Sequence, residues 1–398
     1  MSRRAGPETT AMSTVATRAA GRSAGPAELA RLARDAGRPG LDHGGEQGRD
    51  EIFLVADLGA THLRIACATT GAVRQIVVHR TADLPWHPTD GIAPAVVTRL
   101  IEAWRRSDAG LNGTPAGVGI GVAAYVARDG AVLQPRPFGL MAGPTLRDQT
   151  ASALGCPVVV DNDANLAALG ELRNGAGRDC EDFLLLTLGT NIGLGIVSDG
   201  RILRGAHGAA GEAGFLLIPA RRGRTGLNRM ARAGRLGVGR TGAPRGYAWL
   251  EDLAGGGALA RSLGVYDASA VPASSRTGPQ QPGDTTAHDP ASESVPPERQ
   301  GVFIRAVDGD RRALTVARHA VEGWAMMIAD LVALFDPERI VLSGGLVEDI
   351  RPFIEPLRRR AAELSPLPAE IRIGELGAHA GLVGAAEAAR VATSAGVG

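Results

Sequence analysis

The sequence predicts an α/β chain built as two similar lobes facing a shared cleft. Three observations carry that expectation. Short apolar strands alternate with helical stretches along most of the chain. A strand ending in a Gly/Thr turn occurs twice, as Asp57-Leu58-Gly59-Ala60-Thr61 and as Leu188-Gly189-Thr190-Asn191-Ile192-Gly193. The chain has 398 residues, enough for two domains. Apolar residues make up 44% and aromatics only 4%, so the core must be built from Ala, Val, Leu and Ile, which suits parallel sheet packed by helices.

Taken in order, Ile52–Ala56 reads as a buried strand. Leu63–Thr69 and Val73–His79 flank Gly71 as a meander. Ala93–Arg106 has helical periodicity, Gly117–Ala123 is a strand, Leu146–Leu154 a helix and Pro157–Val160 a strand. Ala164–Arg173 is a helix after Asp163. Phe183–Leu188 and Gly193–Ser198 form a second antiparallel pair, with Gly200 expected at its turn. Trp249–Leu263, Arg311–Phe335, Ile350–Glu363 and His379–Ala392 are expected as helices, and Arg339–Leu342 as a strand. Residues 1–50 are rich in Ala, Gly, Arg and Ser and read as a disordered extension with one short helix near Ala27–Ala36. A second polar stretch, within 267–300, reads as a disordered insert.

Composition excludes several function classes. A net charge of +1 gives no electrostatic case for nucleic acid. All 43 basic residues are Arg, and Lys is absent. A Walker-A loop needs its Lys on the phosphates, and pyridoxal or Schiff-base chemistry needs a Lys amine, so these are excluded. Cys67, Cys156 and Cys180 are too widely spaced for a redox pair or a cysteine-rich zinc cluster, and they read as reduced thiols of a cytoplasmic enzyme. No apolar run is long enough to span a membrane, and no signal segment is evident.

Five elements are candidates for chemistry. In Asp57–Thr61, Gly59 permits a tight turn whose amides can face an anion, Thr61 adds a hydroxyl donor, and Asp57 could hold Mg²⁺ through water. An ordinary hairpin with a solvated Asp would have the same sequence. The Gly189-Thr190-Asn191-Ile192-Gly193 turn offers the same groups, and two such turns facing a cleft could clamp a polyphosphate. Asp161-Asn162-Asp163-Ala164-Asn165 lies between a strand and a helix. There Asp163 is either a helix cap or a base that takes a proton from an attacking hydroxyl, with Asp161 or Asn162 then supplying the cap. Glu212, alone among small residues in Gly208–Gly214, and Glu251 at a helix start can reach a ligand, or can compensate helix termini. Ser343-Gly344-Gly345 ends a strand and permits close approach by a flat group such as adenine.

Together, DLGATHLRIA, VVVDNDANLAALGE, LLLTLGTNIGLGIV, GAAGEAG and DPERIVLSGGL resemble the ROK family of bacterial sugar kinases, repressors and open-frame proteins, over about Leu54 to Ala392. The resemblance implies the two-lobed hexokinase–actin (ribonuclease H-like) ATPase fold with a central cleft. It implies an N-terminal lobe of 51–161 plus 378–394, a C-terminal lobe of 162–377, and a terminal helix returning to the first lobe. It implies Asp163 as catalytic base, and Asn162, Glu212 and Glu251 as ligands of sugar hydroxyls. Asp57, Gly59, Thr61, Gly189, Thr190 and Gly193 would hold ATP phosphates, with Gly344 and Gly345 on the adenosine side. ATP and Mg²⁺ are the implied cofactors, and a homodimer the implied assembly.

The chain also departs from that pattern. The family's His three residues after the pocket Glu is Phe215 here, the following stretch has no Cys, and no zinc is expected. Arg136 stands where the family has a sugar-binding Asn, and Val122-Ala123-Ala124-Tyr125 replaces a glycine-proline-glycine loop. No DNA-binding domain is read in the sequence. The expected function is ATP-dependent phosphorylation of a sugar or sugar-like polyol, with a modified hexose or C7-cyclitol as acceptors besides glucose. The alternative is a catalytically degenerate sugar-binding or regulatory protein.

Overall fold

The computed structural model describes residues 51–69, 71–85, 91–110, 113–133, 145–219, 247–262 and 301–395. The extension 1–50, the insert 267–300, Arg136 and most of the stretch after Phe215 lie outside the described residues.

Two five-stranded sheets organise the chain. The first has the order β3-β2-β1-β4-β5, from β1 (Phe53–Leu58), β2 (His62–Thr69), β3 (Ala72–Arg80), β4 (Val118–Val122) and β5 (Val158–Asn162). The second has the order β12-β11-β6-β7-β8, from β6 (Phe183–Leu188), β7 (Ile192–Ser198), β8 (Arg201–Ile202), β11 (Arg339–Ser343) and β12 (Glu370–Ile373). Each sheet contains a central strand paired antiparallel with its successor and parallel with a later strand. These strands are β1 with β2 and β4, and β6 with β7 and β11. The two Gly/Thr turns join equivalent hairpins of the two sheets, so the repeat read in the sequence is a repeat of architecture.

The helices are α1 (Ala93–Arg106), α2 (Leu146–Leu154), α3 (Asp163–Asn174), α4 (Leu250–Ala254), α5 (Gly256–Ser262), α6 (Val302–Val307), α7 (Arg311–Phe335), α8 (Ile354–Leu364) and α9 (Ala380–Ala395). A short ribbon of β9 (Leu217–Pro219) and β10 (Tyr247–Trp249) stands apart from both sheets. Helix α7 buries Trp324, Met327, Ile328 and Leu331 against Leu184, Leu186 and Ile340 of the second sheet. Helix α9 returns to the first sheet, where Leu382, Ala385 and Ala389 share a core with Phe53, Val55 and Val159.

Two expectations are corrected. The helix expected over Trp249–Leu263 is a strand followed by two short helices, broken at Gly255, whose extended backbone (φ −71°, ψ 147°) ends α4. Gly200 does not join the β6–β7 pair. It sits at φ +65° beside Asp199 in the turn from β7 to β8, and Gly189–Asn191 closes β6–β7. The strands β8, β9 and β12 and the helix α6 are not anticipated from the sequence.

Helices α3 and α9 cross at close range because neither carries a side chain at the contact. A Cβ on Gly384 would meet the Leu166 carbonyl carbon at 2.6 Å and the Gly170 amide nitrogen at 2.9 Å. Gly381, one turn earlier on α9, faces open space. Gly384→Ala is therefore expected to destabilise the protein by about 1–3 kcal/mol in denaturant unfolding. Gly381→Ala should be neutral or stabilise by up to about 1 kcal/mol, the helix-propensity gain.

Candidate active site

The end of β5 and the start of α3 form the centre of the site. Helix α3 is capped by Asn162, whose Oδ1 accepts hydrogen bonds from the backbone amides of Ala164 (3.0 Å) and Asn165 (3.2 Å). Its Nδ2 donates to the Ala124 carbonyl at 3.2 Å, which anchors the turn to the strand beside it. Because Asn162 takes the capping role, Asp163 is left to present its carboxylate. The Ala164 amide donates to its Oδ1 at 2.8 Å. Glycines on both sheets let this helix start sit deep in the molecule. A Cβ on Gly121 of β4 would lie 3.6 Å from the Asp163 Cα, and one on Gly195 of β7 would lie 2.5 Å from the Ala164 carbonyl oxygen.

Asp57, the penultimate residue of β1, lies close enough to Asp163 for its charge to act on that carboxyl. Burial pushes the Asp163 carboxyl up to about 7, and the charge of Asp57 adds to the shift. Burial also raises Asp57, partly offset by Arg64, its antiparallel register partner, whose Nη1 lies 3.5 Å from Oδ2. A shifted carboxyl in a cleft marks a group suited to accept a proton near neutral pH.

The two turns frame this carboxylate pair. In the first, the Gly59 amide donates to the His62 carbonyl at 2.9 Å, Thr81 Oγ1 donates to the Gly59 carbonyl at 2.8 Å, and Thr61 is exposed at the tip. In the second, the Gly189 amide donates to the Asn191 carbonyl at 3.1 Å, the Gly193 amide donates to Thr187 Oγ1 at 3.1 Å, and Thr190 is exposed. The second turn is braced by glycine backbone. The Gly256 and Gly257 amides donate to the Gly189 and Thr190 carbonyls at 2.8 and 3.1 Å. Gly344, at φ +100°, lies so close to Leu188 that a Cβ would come within 2.6 Å of its carbonyl oxygen. Gly189, Thr190, Gly193, Gly344 and Gly345 are thus brought together on one side of the cleft.

Glu212 precedes a single 3₁₀ turn, Ala213–Phe215, in a loop that follows β8. Glu251 Oε2 accepts from the Ile192 amide at 3.3 Å and would lie 2.7 Å from a Cβ on Gly214. Glu251 therefore connects the second turn to the Glu212 loop. Phe215 meets Trp249 edge to face, with ring centroids 6.0 Å apart, and places an apolar wall in this loop region. Arg204 was not singled out in the sequence. Its guanidinium donates to Asp161 Oδ2 from Nε at 2.9 Å and Nη2 at 2.7 Å. These two residues are 43 positions apart, and no local pattern links them.

The raised carboxyl has a stability consequence. Asp163 ionises near pH 4 in the unfolded chain and near 7 in the folded one, so ionisation costs folding free energy that accumulates as pH rises between these values. Three pH units correspond to at most about 4 kcal/mol. Asp163→Asn is therefore expected to raise Tm at pH 8 in metal-free buffer, with the gain shrinking towards pH 4. A Tm difference independent of pH would contradict the raised carboxyl.

The ROK family model matches residues 54–391. A glucokinase of Halalkalibacterium halodurans is 30% identical over 352 residues, covering 84% of this chain and 94% of the relative. The ROK hexokinase of Thermus thermophilus superposes with a TM-score of 0.60 at 29% identity, covering 85% of this chain and 98% of that one. A ROK glucokinase of Streptomyces griseus, solved with glucose and AMPPNP, superposes equally well at 0.60 and 28% identity, covering 85% and 99%. The chain belongs to the ROK family, and its fold is the two-lobed α/β ATPase fold of those hexokinases.

Proposed function

We propose that this protein transfers the terminal phosphoryl group of ATP to a hydroxyl of a sugar or sugar-like polyol, with Asp163 as the general base. The observation that carries this reading is a helix start bearing Asp163 that β4 of one sheet and β7 of the other both approach through glycines, each sheet also carrying a Gly/Thr turn, and the raised Asp163 carboxyl supports it. Relatives called glucokinase, and a structural neighbour holding glucose and an ATP analogue, support it.

Phosphoryl transfer depends chiefly on positioning and charge stabilisation. The amides of Ala60, Thr61, Thr190 and Asn191 and the hydroxyls of Thr61 and Thr190 grip the phosphates from the two sheets, and Gly344 and Gly345 leave room for the nucleoside. Asp163 accepts the proton of the attacking hydroxyl. The Asp57 carboxylate, near Asp163, would hold Mg²⁺ through water, and that ion would neutralise phosphate charge. Asn162, Glu212, Glu251 and Arg136 are proposed to bind the acceptor. The lobes are proposed as 51–161 with 378–394, and 162–377, in a cytoplasmic homodimer that closes over its substrates to exclude water.

Phe215 against Trp249 makes part of the acceptor loop apolar. This supports an acceptor that differs from glucose along that edge, such as a modified hexose or a C7-cyclitol. An ATP-consumption assay over glucose, mannose, N-acetylmannosamine and cyclitols is expected to show turnover, with glucose not the preferred acceptor by kcat/KM. Asp163→Ala should lose about 10²–10⁴-fold of it. Strong selective glucose turnover would contradict the altered acceptor. Absence of turnover on the whole panel, or full activity in Asp163→Ala, would overturn the kinase mechanism and favour a sugar-binding regulator.

A further inference from the structure

Asp161 carries one oxygen for each sheet. It is the penultimate residue of β5 and is only 5% exposed. Its Oδ1 serves the turn that carries the base, accepting from the Asn162 amide at 2.8 Å and from Asn165 Nδ2 at 3.2 Å. Its Oδ2 receives both donors of Arg204, which stands just after β8 on the second sheet. The backbone of Arg204 in turn closes the loop leading to Glu212, since its carbonyl accepts from the Ala210 amide at 3.2 Å. Within that loop Gly208 and Gly211 hold φ of +72° and +93°, with Gly208 packed on the Val126 carbonyl and Gly211 on that of Leu194. The loop is therefore backed by neighbouring backbone at those two points and reaches the base turn through the guanidinium.

From this arrangement we propose that Arg204 is a positioning residue that fixes the Glu212 loop relative to the Asp163 turn across the boundary between the two sheets. The proposal rests on the kinase reading for its catalytic consequence, but not for the coupling itself. A buried ion pair contributes little net stability once both ions are desolvated, and its main effect here is registry. Two donors converging on one carboxylate oxygen fix distance and direction together. A Lys ammonium would supply charge without the paired geometry. Neither Arg204 nor Asp161 needs to touch the acceptor.

The test compares Arg204→Gln, Arg204→Lys, Asp161→Asn and the double variant Asp161→Asn/Arg204→Gln with the parent full-length chain. Hydrogen exchange is read without any ligand. Exchange at the Ala164, Asn165 and Ala210 amides is expected to rise at least about tenfold in each single variant, while the β11 amides of Val341 and Leu342 keep parental protection. The double variant should add nothing beyond the larger single effect. With the best acceptor, Arg204→Gln should lower kcat/KM by about 100-fold. KM for ATP should stay within about twofold and the loss should fall on the acceptor KM and kcat, since the Glu212 loop and the Asp163 turn are displaced while the phosphate turns are not. Arg204→Lys should recover part of the loss. Parental exchange at those three amides in folded single variants, or simple addition of the two losses, would overturn the proposal. If no acceptor is turned over by the parent, the kinase reading falls and the exchange arm still decides the coupling.

Discussion

The site depends on how closely α3 can enter the space between the two sheets. Its first turn carries Asp163, and that turn is in contact with β4 through Gly121 and with β7 through Gly193 and Gly195. Side chains at those strand positions would push the helix outward and carry the carboxylate away from both turns. Close packing of this kind resists adjustment, because an interior at crystal-like density has no slack to absorb an added methyl group. Close backbone approach recurs where α9 crosses α3 at Gly170 and Gly384, beside the apolar packing of Leu166 and Leu172, so both faces of the helix bearing the base are tightly fixed.

That placement determines the electrostatics. Partial burial between two sheets desolvates Asp163 and the nearby charge of Asp57 adds to that, and both effects raise its carboxyl to about 7. Capping is delegated to Asn162, so the helix N-terminus is satisfied without using the base. Asp161, one residue earlier again, is held by Arg204. Three consecutive polar side chains thus do three separate things: pair across the sheets, cap the helix, and face the cleft. A local sequence window cannot distribute those roles, because each is decided by a partner elsewhere in the chain.

What was legible in the sequence follows from the same distinction. The helices Ala93–Arg106 and Arg311–Phe335 were readable at their full length because each buries a continuous apolar face. The two Gly/Thr turns were readable because each closes a hairpin at the end of a buried strand, although neither Gly59 nor Gly189 adopts a left-handed φ or a forbidding contact. The strand β12 was not readable, since it is four residues long and leaves Glu370 exposed at a sheet edge. The break at Gly255 was also hidden. Gly255 packs against the Glu251 carbonyl and the Thr190 carbonyl, a demand set by tertiary contact rather than local propensity. Arg204 escaped because one Arg among 43 basic residues has no marker until its partner is known.

The account turns on where the Asp163 carboxylate points when both substrates are present. A crystal structure with a non-hydrolysable ATP analogue, Mg²⁺ and the acceptor preferred in solution measures this directly. The account predicts a carboxylate oxygen about 3 Å from one acceptor hydroxyl, with that hydroxyl in line with the terminal phosphorus and the phosphates lying between the two glycine turns. A nucleotide bound elsewhere, or an acceptor whose hydroxyls all face away from Asp163, would contradict it.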